Sequence, residues 1–234
     1  MKGFFITGTD TGVGKTLFSA ALLHALGGLG IRATGMKPVA AGAELKDGVW
    51  INEDVAMLAA ASPVAVPPEL ANPYLFREPI APHVAADHKG VTIEIPRIAY
   101  ALEALGGLAD VVVVEGVGGF RVPLSPGRDT ADLAVRLGLP LILVVGMRLG
   151  CLNHALLTAE AIAARELTLA GWVANRIEPD MPAYEENLAT LTNLLGVPLL
   201  AELPTMASPD PARAAHLIAP QKLTAMLKYI SKHE

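Results

Sequence analysis

The sequence predicts one α/β domain whose parallel sheet carries helices on both faces. With 234 residues, of which 52% are hydrophobic and 18% charged, the chain is long and apolar enough for one large core. Short runs of β-branched residues alternate with longer alanine- and leucine-rich segments of helical period, which is typical of parallel strands joined by helices. Residues 111–114 are four valines in a row, as in a strand buried on both faces. Because no repeat or linker divides the chain, we expect a single domain over residues 1–234.

The local pattern places each element in turn. Strands are predicted at residues 4–7, 33–37, 111–115, 141–145, 171–174 and 198–203. Helices are predicted at residues 16–29, 53–61, 93–105, 130–137, 152–165, 183–195 and 220–232. Six prolines interrupt residues 62–82, so that segment cannot form one regular element. We expect it to be an ordered excursion near a site, anchored by the apolar residues Tyr74, Leu75, Phe76 and Ile80.

Composition excludes several classes of partner. The formal net charge is −5, which gives no general attraction to nucleic acid or anionic lipid. The longest apolar stretch, residues 137–147, contains Pro140 and is shorter than the roughly 20 residues that a membrane-spanning helix needs. Cys151 is the only cysteine, and Asp10 comes before any apolar run long enough for an export signal. We therefore expect a cytoplasmic protein that binds neither nucleic acid nor a membrane.

Residues 8–16 predict a loop that binds nucleotide phosphates. They read G-T-D-T-G-V-G-K-T between the first strand and the first helix, where backbone N–H groups and the helix N-terminus face an anion. Lys15 is expected to neutralise the β- and γ-phosphates, and the Thr16 hydroxyl to ligate Mg²⁺. The strict pattern has glycine where this chain has Thr9. Since Leu17 stands where a dinucleotide fingerprint needs its third glycine, a nucleoside triphosphate is the expected ligand.

Four residues further along the chain are candidates for chemistry. Glu115 ends the valine strand, where a parallel sheet places its ligand groups, so it is predicted to hold Mg²⁺. Asp54 fits two interpretations, a second metal ligand or a capping residue of the following helix. Lys37 closes the second strand and fits either an electrostatic role on transferred phosphate or a solvated strand end. Cys151 is expected to be apolar filler rather than a nucleophile, because it has no evident base partner.

Seven stretches, taken in order across nearly the whole chain, resemble the dethiobiotin synthetase family. They are residues 8–16, G-M-K-P-V at 35–39, N-P-Y at 72–74, P-I-A-P-H at 79–83, V-E-G-V-G-G at 114–119, L-G-C-L-N-H at 149–154 and G-W-V-A-N at 171–175. The resemblance implies a homodimer with a phosphate-loop NTPase fold and about seven parallel strands. It also implies the penultimate step of biotin synthesis, in which 7,8-diaminononanoate, CO₂ and ATP give dethiobiotin, ADP and phosphate.

The same resemblance implies roles for individual residues. Mg²⁺ would be held by Thr16, Asp54 and Glu115, and the catalytic residues would be Lys15 and Lys37, which bracket a carbamate and the γ-phosphate. The nucleotide phosphates would be surrounded by Thr11, Gly12, Val13, Gly14, Lys15, Thr16, Leu17, Asp54, Glu115, Gly116, Val117 and Gly118, and the base by Asn175, Arg176, Pro204, Thr205 and Met206. The diamine would contact Lys37, Ala41, Gly150, Cys151, Leu152 and Asn153, the last four supplied by the neighbouring subunit. The chain departs from the family at Ala41, where many relatives carry a hydroxyl, and at Asn187, where some carry a tyrosine.

A second function stays open, that of an ATPase switch of the MinD/ParA type. Such proteins carry an additional lysine early in the phosphate loop, where this chain has Asp10. Their membrane-binding versions end in an amphipathic helix, and the last predicted helix here has one apolar face, formed by Leu223, Met226, Leu227 and Ile230. With lysines on the remaining surface, among them Lys232, a terminal helix packed on the sheet is the preferred interpretation.

Overall fold

The computed structural model describes residues 2–232 of the chain and the side chains of residues 2–228. Its strands are β1 (Gly3–Gly8), β2 (Ala33–Met36), β3 (Val39–Ala40), β4 (Glu44–Lys46), β5 (Val49–Ile51), β6 (Tyr74–Leu75), β7 (Val111–Glu115), β8 (Pro123–Ser125), β9 (Arg128–Asp129), β10 (Leu141–Gly146), β11 (Leu169–Asn175) and β12 (Leu199–Leu203). Its helices are α1 (Lys15–Gly28), α2 (Glu53–Ala61), α3 (Pro68–Ala71), α4 (Pro82–Lys89), α5 (Ile95–Gly106), α6 (Thr130–Leu137), α7 (Cys151–Ala163), α8 (Tyr184–Leu195), α9 (Pro211–Ala215) and α10 (Pro220–Lys232).

The central sheet is parallel, and its six strands lie in the order β12-β11-β10-β1-β7-β2. All six predicted strands are present, and the α/β class is confirmed. The chain passes from β1 to the edge strand β2, returns to place β7 between them, and then extends on the other side of β1. This reversal beside β1 is where open α/β sheets bind ligands, at the carboxyl ends of the strands.

The central sheet has six strands rather than the roughly seven that the resemblance implied, because the chain leaves the sheet after β2. After β2, the chain breaks at Lys37 and Pro38 and continues as β3, which pairs in parallel with β6 through Val39 and Tyr74. The Lys37 N–H donates to the carbonyl of Ala71, and Pro38 has no N–H to donate. The ladder between β3 and β6 therefore lies beside the six-stranded sheet without joining it.

Helices cover both faces of the sheet, as predicted. On one face α1, α2, α9 and α10 pack around Ile6 and Val113. On the other face α5 and α6 pack around Val112 and Val114, and the first half of α7 packs with α8 around Trp172. The valine strand divides its side chains between the two faces, which is why it shows no alternation of polar and apolar residues.

The proline-rich segment is an ordered excursion, although one expected anchor is wrong. Tyr74 and Phe76 are buried, whereas Ile80 is exposed. The segment contains α3 and leads into α4, and neither of these helices was predicted from the sequence. Both begin with proline, as does the unpredicted α9, because the fixed φ of proline suits the first turn of a short helix.

The C-terminal helix α10 packs on the sheet. Leu223 and Met226 are buried in the same core cluster as α1, which confirms the preferred interpretation of its apolar face. The side chains of Ile230 and Lys232 lie outside the described residues. Within residues 2–232, no helix combines the length and the hydropathy that crossing a bilayer requires.

Candidate active site

The loop between β1 and α1 is shaped by two glycines and by contacts with neighbouring strands. Gly12 and Gly14 have φ of +74° and +93°, a region that favours glycine. A Cβ on Gly14 would lie 2.1 Å from Nδ2 of Asn175, so only glycine fits there. Asn175 ends β11, and its Nδ2 donates to the carbonyl of Val13 at 2.9 Å. The sheet thus holds the loop in place, with its backbone curved around the space at the start of α1.

Lys15 is buried at the first position of α1, where its ammonium turns back onto the loop. Its Nζ donates to the carbonyl of Asp10 at 2.8 Å. Burial, with a further contribution from the nearby cation of Lys37, lowers the pKa of Lys15 from 10.5 to about 8. An ammonium so weakly stabilised by its surroundings has a strong preference for an anionic ligand such as a phosphate.

A buried cluster of charged groups lies beside the loop, at the ends of β2 and β7. The Thr16 hydroxyl is 2.8 Å from Oδ1 of Asp54 and 2.8 Å from Oε1 of Glu115, and its single proton can serve only one of them at a time. The Lys37 ammonium donates to Oε1 of Glu115 at 2.5 Å and to Oδ2 of Asp54 at 2.9 Å. Lys37 is 4% exposed, Glu115 0% and Asp54 42%. The sequence left Lys37 and Asp54 open, and the structure brings both to the same point as Glu115.

The ionisation of this cluster follows from its pairing. Burial by itself would lower the pKa of Lys37, but the carboxylates of Glu115 and Asp54 more than offset that effect and hold the pKa above its usual value. Burial would likewise raise the pKa of Asp54, and the Lys37 ammonium reverses that and lowers it. Lys37 therefore stays a cation and Asp54 an anion at neutral pH.

The donors around Thr16 fit a divalent cation. Oε2 of Glu115 is buried and has no hydrogen-bond partner within the described residues, which is costly for a carboxylate oxygen unless a cation or water completes it. One hydroxyl and two carboxylates are the hard oxygen donors that Mg²⁺ takes when phosphates and water supply the rest of its shell. Across residues 2–232, no three His, Cys, Asp or Glu side chains form a separate metal cluster. The site thus suits a cation that arrives with a nucleotide.

These groups open into a cleft of 600 Å³. Its polar wall contains Thr11, Gly12, Gly14, Lys15, Thr16, Lys37, Asp54, Glu115 and Gly118, and its apolar wall contains Leu17, Ala41, Met57, Pro79, Ala81, Val117 and Val122. Val13 belongs to the loop, but its side chain is buried and does not line the cleft. Gly116 contributes its carbonyl, which accepts from Lys37 at 3.3 Å. The cleft thus combines the charged groups beside the phosphate loop with apolar side chains in its lining.

The residues predicted for the base follow the ends of β11 and β12. The Thr205 hydroxyl donates to the carbonyl of Arg176 at 2.8 Å, and the Arg176 N–H donates to the carbonyl of Leu203, so these two connections lie side by side. The Arg176 guanidinium stacks 3.6 Å from the centre of the Tyr184 ring. Pro204 and Met206 flank Thr205 in the same connection. Asn175 thus contacts the phosphate loop, and Arg176 and Thr205 contact each other in the two connections that follow β11 and β12.

The start of α7 follows β10 on the far side of the loop. Gly150 is its N-cap, with φ of +91° and no side-chain cap. Cys151 is buried among Leu143, Val145 and Trp172, as expected of apolar filler. Leu152 and Asn153 complete the first turn, in which the Cys151 N–H already donates to the carbonyl of Arg148 and the next N–H groups have no preceding helical turn to bond to. Leu149, next to this turn, is 90% exposed.

Comparison with known proteins decides the family. A family model described as an AAA domain matches residues 2–213. The chain is 58% identical over 214 residues to the ATP-dependent dethiobiotin synthetase BioD of Aromatoleum aromaticum, covering 92% of this chain and 95% of that protein. This chain belongs to the dethiobiotin synthetase family. The expectation of an ATP-dependent ligase is confirmed at the level of the family.

Solved structures outside the dethiobiotin synthetase family share the fold. A chain of the Aquifex aeolicus MinC:MinD cell division protein complex matches with a TM-score of 0.57 at 16% identity, covering 100% of this chain and 97% of that one. A ParA family ATPase from Chlorobium tepidum matches with a TM-score of 0.54 at 15% identity, covering 100% and 98%. At these identities the likeness shows the phosphate-loop fold alone.

Sequence reasoning missed several residues that shape the site. Asn72 donates from Nδ2 to the carbonyl of Lys37 at 2.6 Å and so fixes the strand end that carries the lysine. Arg148 pairs with Asp10 of the phosphate loop at 2.8 Å. Asn72 lies in one of the stretches that resemble the family, and that resemblance could have indicated it. No local pattern indicates Arg148, because it is 138 residues away from Asp10 in the chain.

Proposed function

We propose that the protein converts 7,8-diaminononanoate, CO₂ and ATP into dethiobiotin, ADP and phosphate, the penultimate step of biotin synthesis. One amine adds to CO₂ and loses a proton, which gives a carbamate. A carbamate oxygen attacks the γ-phosphorus and ADP leaves, which gives a carbamic–phosphoric anhydride. The second amine then attacks the carbamoyl carbon, closes the ureido ring and expels phosphate. No step needs an enzyme nucleophile, so positioning and charge neutralisation are sufficient.

Thr16, Asp54 and Glu115 are the proposed Mg²⁺ ligands, supported by the unpaired Oε2 of Glu115. When bound with ATP, the cation would neutralise charge on the phosphates. The loop residues Thr11, Gly12, Val13 and Gly14 direct backbone N–H groups at the phosphates, as the N-terminus of α1 does. Leu17, Gly116, Val117 and Gly118 form the surrounding walls.

Lys15 and Lys37 are the proposed catalytic residues, and they approach the reacting atoms from two sides. Lys37 is kept charged by Glu115 and Asp54, so it can stabilise the carbamate and the oxygen that bridges to phosphorus. Lys15 donates one N–H to the carbonyl of Asp10 and would offer the other two to the β- and γ-phosphates. The two ammonium groups thus act on the nucleophile and on the transferred group respectively.

The remaining binding roles follow the walls of the cleft. Ala41 and the apolar residues beside it face the alkyl chain of the diamine. The first turn of α7, residues 150–153, offers N–H groups to the diamine carboxylate, and it would serve the active site of the neighbouring subunit in a homodimer. Asn175 would read the adenine edge, with Arg176, Pro204, Thr205 and Met206 around the base. We place this single-domain enzyme in the cytoplasm.

The observation that supports the proposal most strongly is the convergence of Lys37, Thr16, Asp54 and Glu115 beside the phosphate loop of a chain 58% identical to a dethiobiotin synthetase. The test is ADP release measured with and without diaminononanoate in bicarbonate-buffered solution. We expect release to depend on the diamine and dethiobiotin to form in equal amount. A MinD/ParA-type switch would release ADP without the diamine, and that result would overturn the proposal.

The shared active site has its own test. Activity is measured while the protein is diluted, with sedimentation at the same concentrations. We expect specific activity to fall as the dimer dissociates. A fully active monomer would exclude a role for the neighbouring subunit's first turn of α7.

A further inference from the structure

Asp10 makes three contacts that bring parts of the site together. Its Oδ1 accepts from the Thr11 N–H at 2.7 Å within the phosphate loop. Its carbonyl accepts from Nζ of Lys15 at 2.8 Å, and its Oδ2 accepts from Nη2 of Arg148 at 2.8 Å. Asp10 therefore contacts the phosphate loop, the buried Lys15, and the connection between β10 and α7.

Arg148 belongs to the turn that starts α7, and the backbone around it is fixed from both sides. The Met147 N–H donates to the carbonyl of Asn175 at 2.7 Å, and the Cys151 N–H donates to the carbonyl of Arg148 at 3.0 Å. Gly150, with its positive φ, then opens the helix. Arg148 therefore connects Asp10, through its guanidinium, to a backbone that is hydrogen-bonded both to β11 and to the first turn of α7.

Nucleotide binding acts on one of the three contacts. The Lys15 ammonium has three N–H groups, and the Asp10 carbonyl takes one of them. A phosphate that binds the other two N–H groups would therefore draw on the same ammonium that contacts Asp10. Asp10 is thus the residue through which a ligand at the loop and a ligand at the first turn of α7 can influence each other.

We propose that the Asp10–Arg148 ion pair couples nucleotide binding in the phosphate loop to diamine binding at the first turn of α7. The inference rests on the proposed function, in which that turn holds the diamine carboxylate. Because the turn serves the neighbouring subunit there, the coupling runs between the two active sites of the dimer. Arg148 is accordingly a positioning residue.

The exposure of the pair sets the size of the effect. The side chains of Arg148 and Asp10 are 40% and 49% exposed, and ion pairs of this kind contribute little to folding stability. Variants are therefore expected to fold normally, and the consequence to lie in binding. The affinity of one ligand should change by about fivefold when the other is bound.

The test measures the Kd of diaminononanoate by calorimetry in CO₂-free buffer, with and without a saturating non-hydrolysable ATP analogue and Mg²⁺. In the parent protein the analogue should tighten diamine binding by about fivefold. Arg148→Gln and Asp10→Asn should each bring the ratio of the two Kd values close to one, and the double variant should resemble the single ones. Asp10→Asn keeps an oxygen for the Thr11 N–H while it removes the charge, and Arg148→Lys should restore part of the coupling.

A matched control is available just beyond the other end of α7. Arg165 pairs with Asp132 at 2.7 Å, so Arg165→Gln removes a comparable guanidinium ion pair away from the loop and should leave the ratio unchanged. A ratio of one in the parent, or an unchanged ratio in Arg148→Gln, would overturn the inference. A parent protein that neither binds the diamine nor releases ADP in its presence would instead overturn the proposed function.

Discussion

Two groups of charges flank the phosphate loop, and they differ in burial. Toward β2 and β7, Lys37 and Glu115 are 4% and 0% exposed and in direct contact. Toward β10, Asp10 and Arg148 are in contact at 2.8 Å, close to the 2.5 Å of the buried pair, but they are about half-exposed. Burial removes the solvent that would otherwise screen a charge, so similar distances carry different energies in the two groups.

The difference separates two tasks. Removing one partner from a buried pair leaves a charge that neither water nor protein compensates, which costs several kcal/mol or forces a change of ionisation. Removing one partner from the exposed pair leaves a hydrated charge. The buried group is thus suited to stabilise developing charge in a reaction, and the exposed group to adjust positions with small energies.

The strongest test of the contrast is Lys37→Ala. Loss of the buried ammonium should lower kcat by about 10²–10³-fold, as is typical when a preorganised group on a transition-state charge is removed. Steady-state kcat at saturating ATP and diamine measures it, and Lys15→Ala should behave similarly. The exposed Lys89, whose Nζ donates to the carbonyl of Leu75, gives the control Lys89→Ala, which should keep normal turnover. Near-normal turnover in Lys37→Ala would remove the catalytic assignment.

Glu115 and Asp54 differ in burial, so the effect of burial can also be compared within the cluster around Lys37. Glu115→Gln should raise the Mg²⁺ concentration for half-maximal rate by about tenfold or more, because no water can replace the lost oxygen in a fully buried position. Asp54→Asn should have a smaller effect, since Asp54 is 42% exposed and water can replace its oxygen. Titration of the rate with Mg²⁺ distinguishes them, and equal effects would mean that burial does not govern the metal site.

A pH experiment tests the coupling of the two lysines. Because burial and Lys37 lower the pKa of Lys15 to about 8, the free protein loses this ammonium as pH rises through 8. The affinity for a non-hydrolysable ATP analogue should therefore fall above pH 8, by up to about tenfold per pH unit. Lys37→Ala removes one cause of the lowered pKa, so its decline should begin at higher pH. Identical profiles for the parent and the variant would show that the two cations do not interact.

The smallest effect is expected at Asn175, which ends β11 at the edge of the loop. Asn175→Ala should reduce the preference for ATP over GTP by a few-fold and weaken both nucleotides, because the Val13 carbonyl loses its donor. The ratio of kcat/KM for the two nucleotides is the measurement. Asn187→Ala is the control, since Asn187 is partly buried on α8 and its Nδ2 donates to the carbonyl of Ala183, one turn back. Equal kcat/KM for ATP and GTP in the parent would exclude base reading by Asn175.

Sequence patterns predicted the fold, the phosphate loop and Glu115 because each of these features is local. The valine strand, the glycines of the phosphate loop and Glu115 at a strand end each carry their meaning within a few residues. Asp54 and Lys37 could not be decided in this way. Each has an ordinary local explanation, as a helix cap or a strand end, and only their contact, between positions 17 apart in the chain, brings them to one site.

The sequence by itself determined the α/β class, the six strands and the phosphate loop, because hydrophobic period and glycine position act over short distances along the chain. Tertiary structure alone decided that Lys37 bridges Asp54 and Glu115, that Asn175 holds Val13, and that Arg148 reaches Asp10. These contacts depend on the order of strands in the sheet, which places the ends of β2, β7, β10 and β11 around the end of β1. Burial then fixes the ionisation of each group, and burial is a property of the folded chain rather than of any segment.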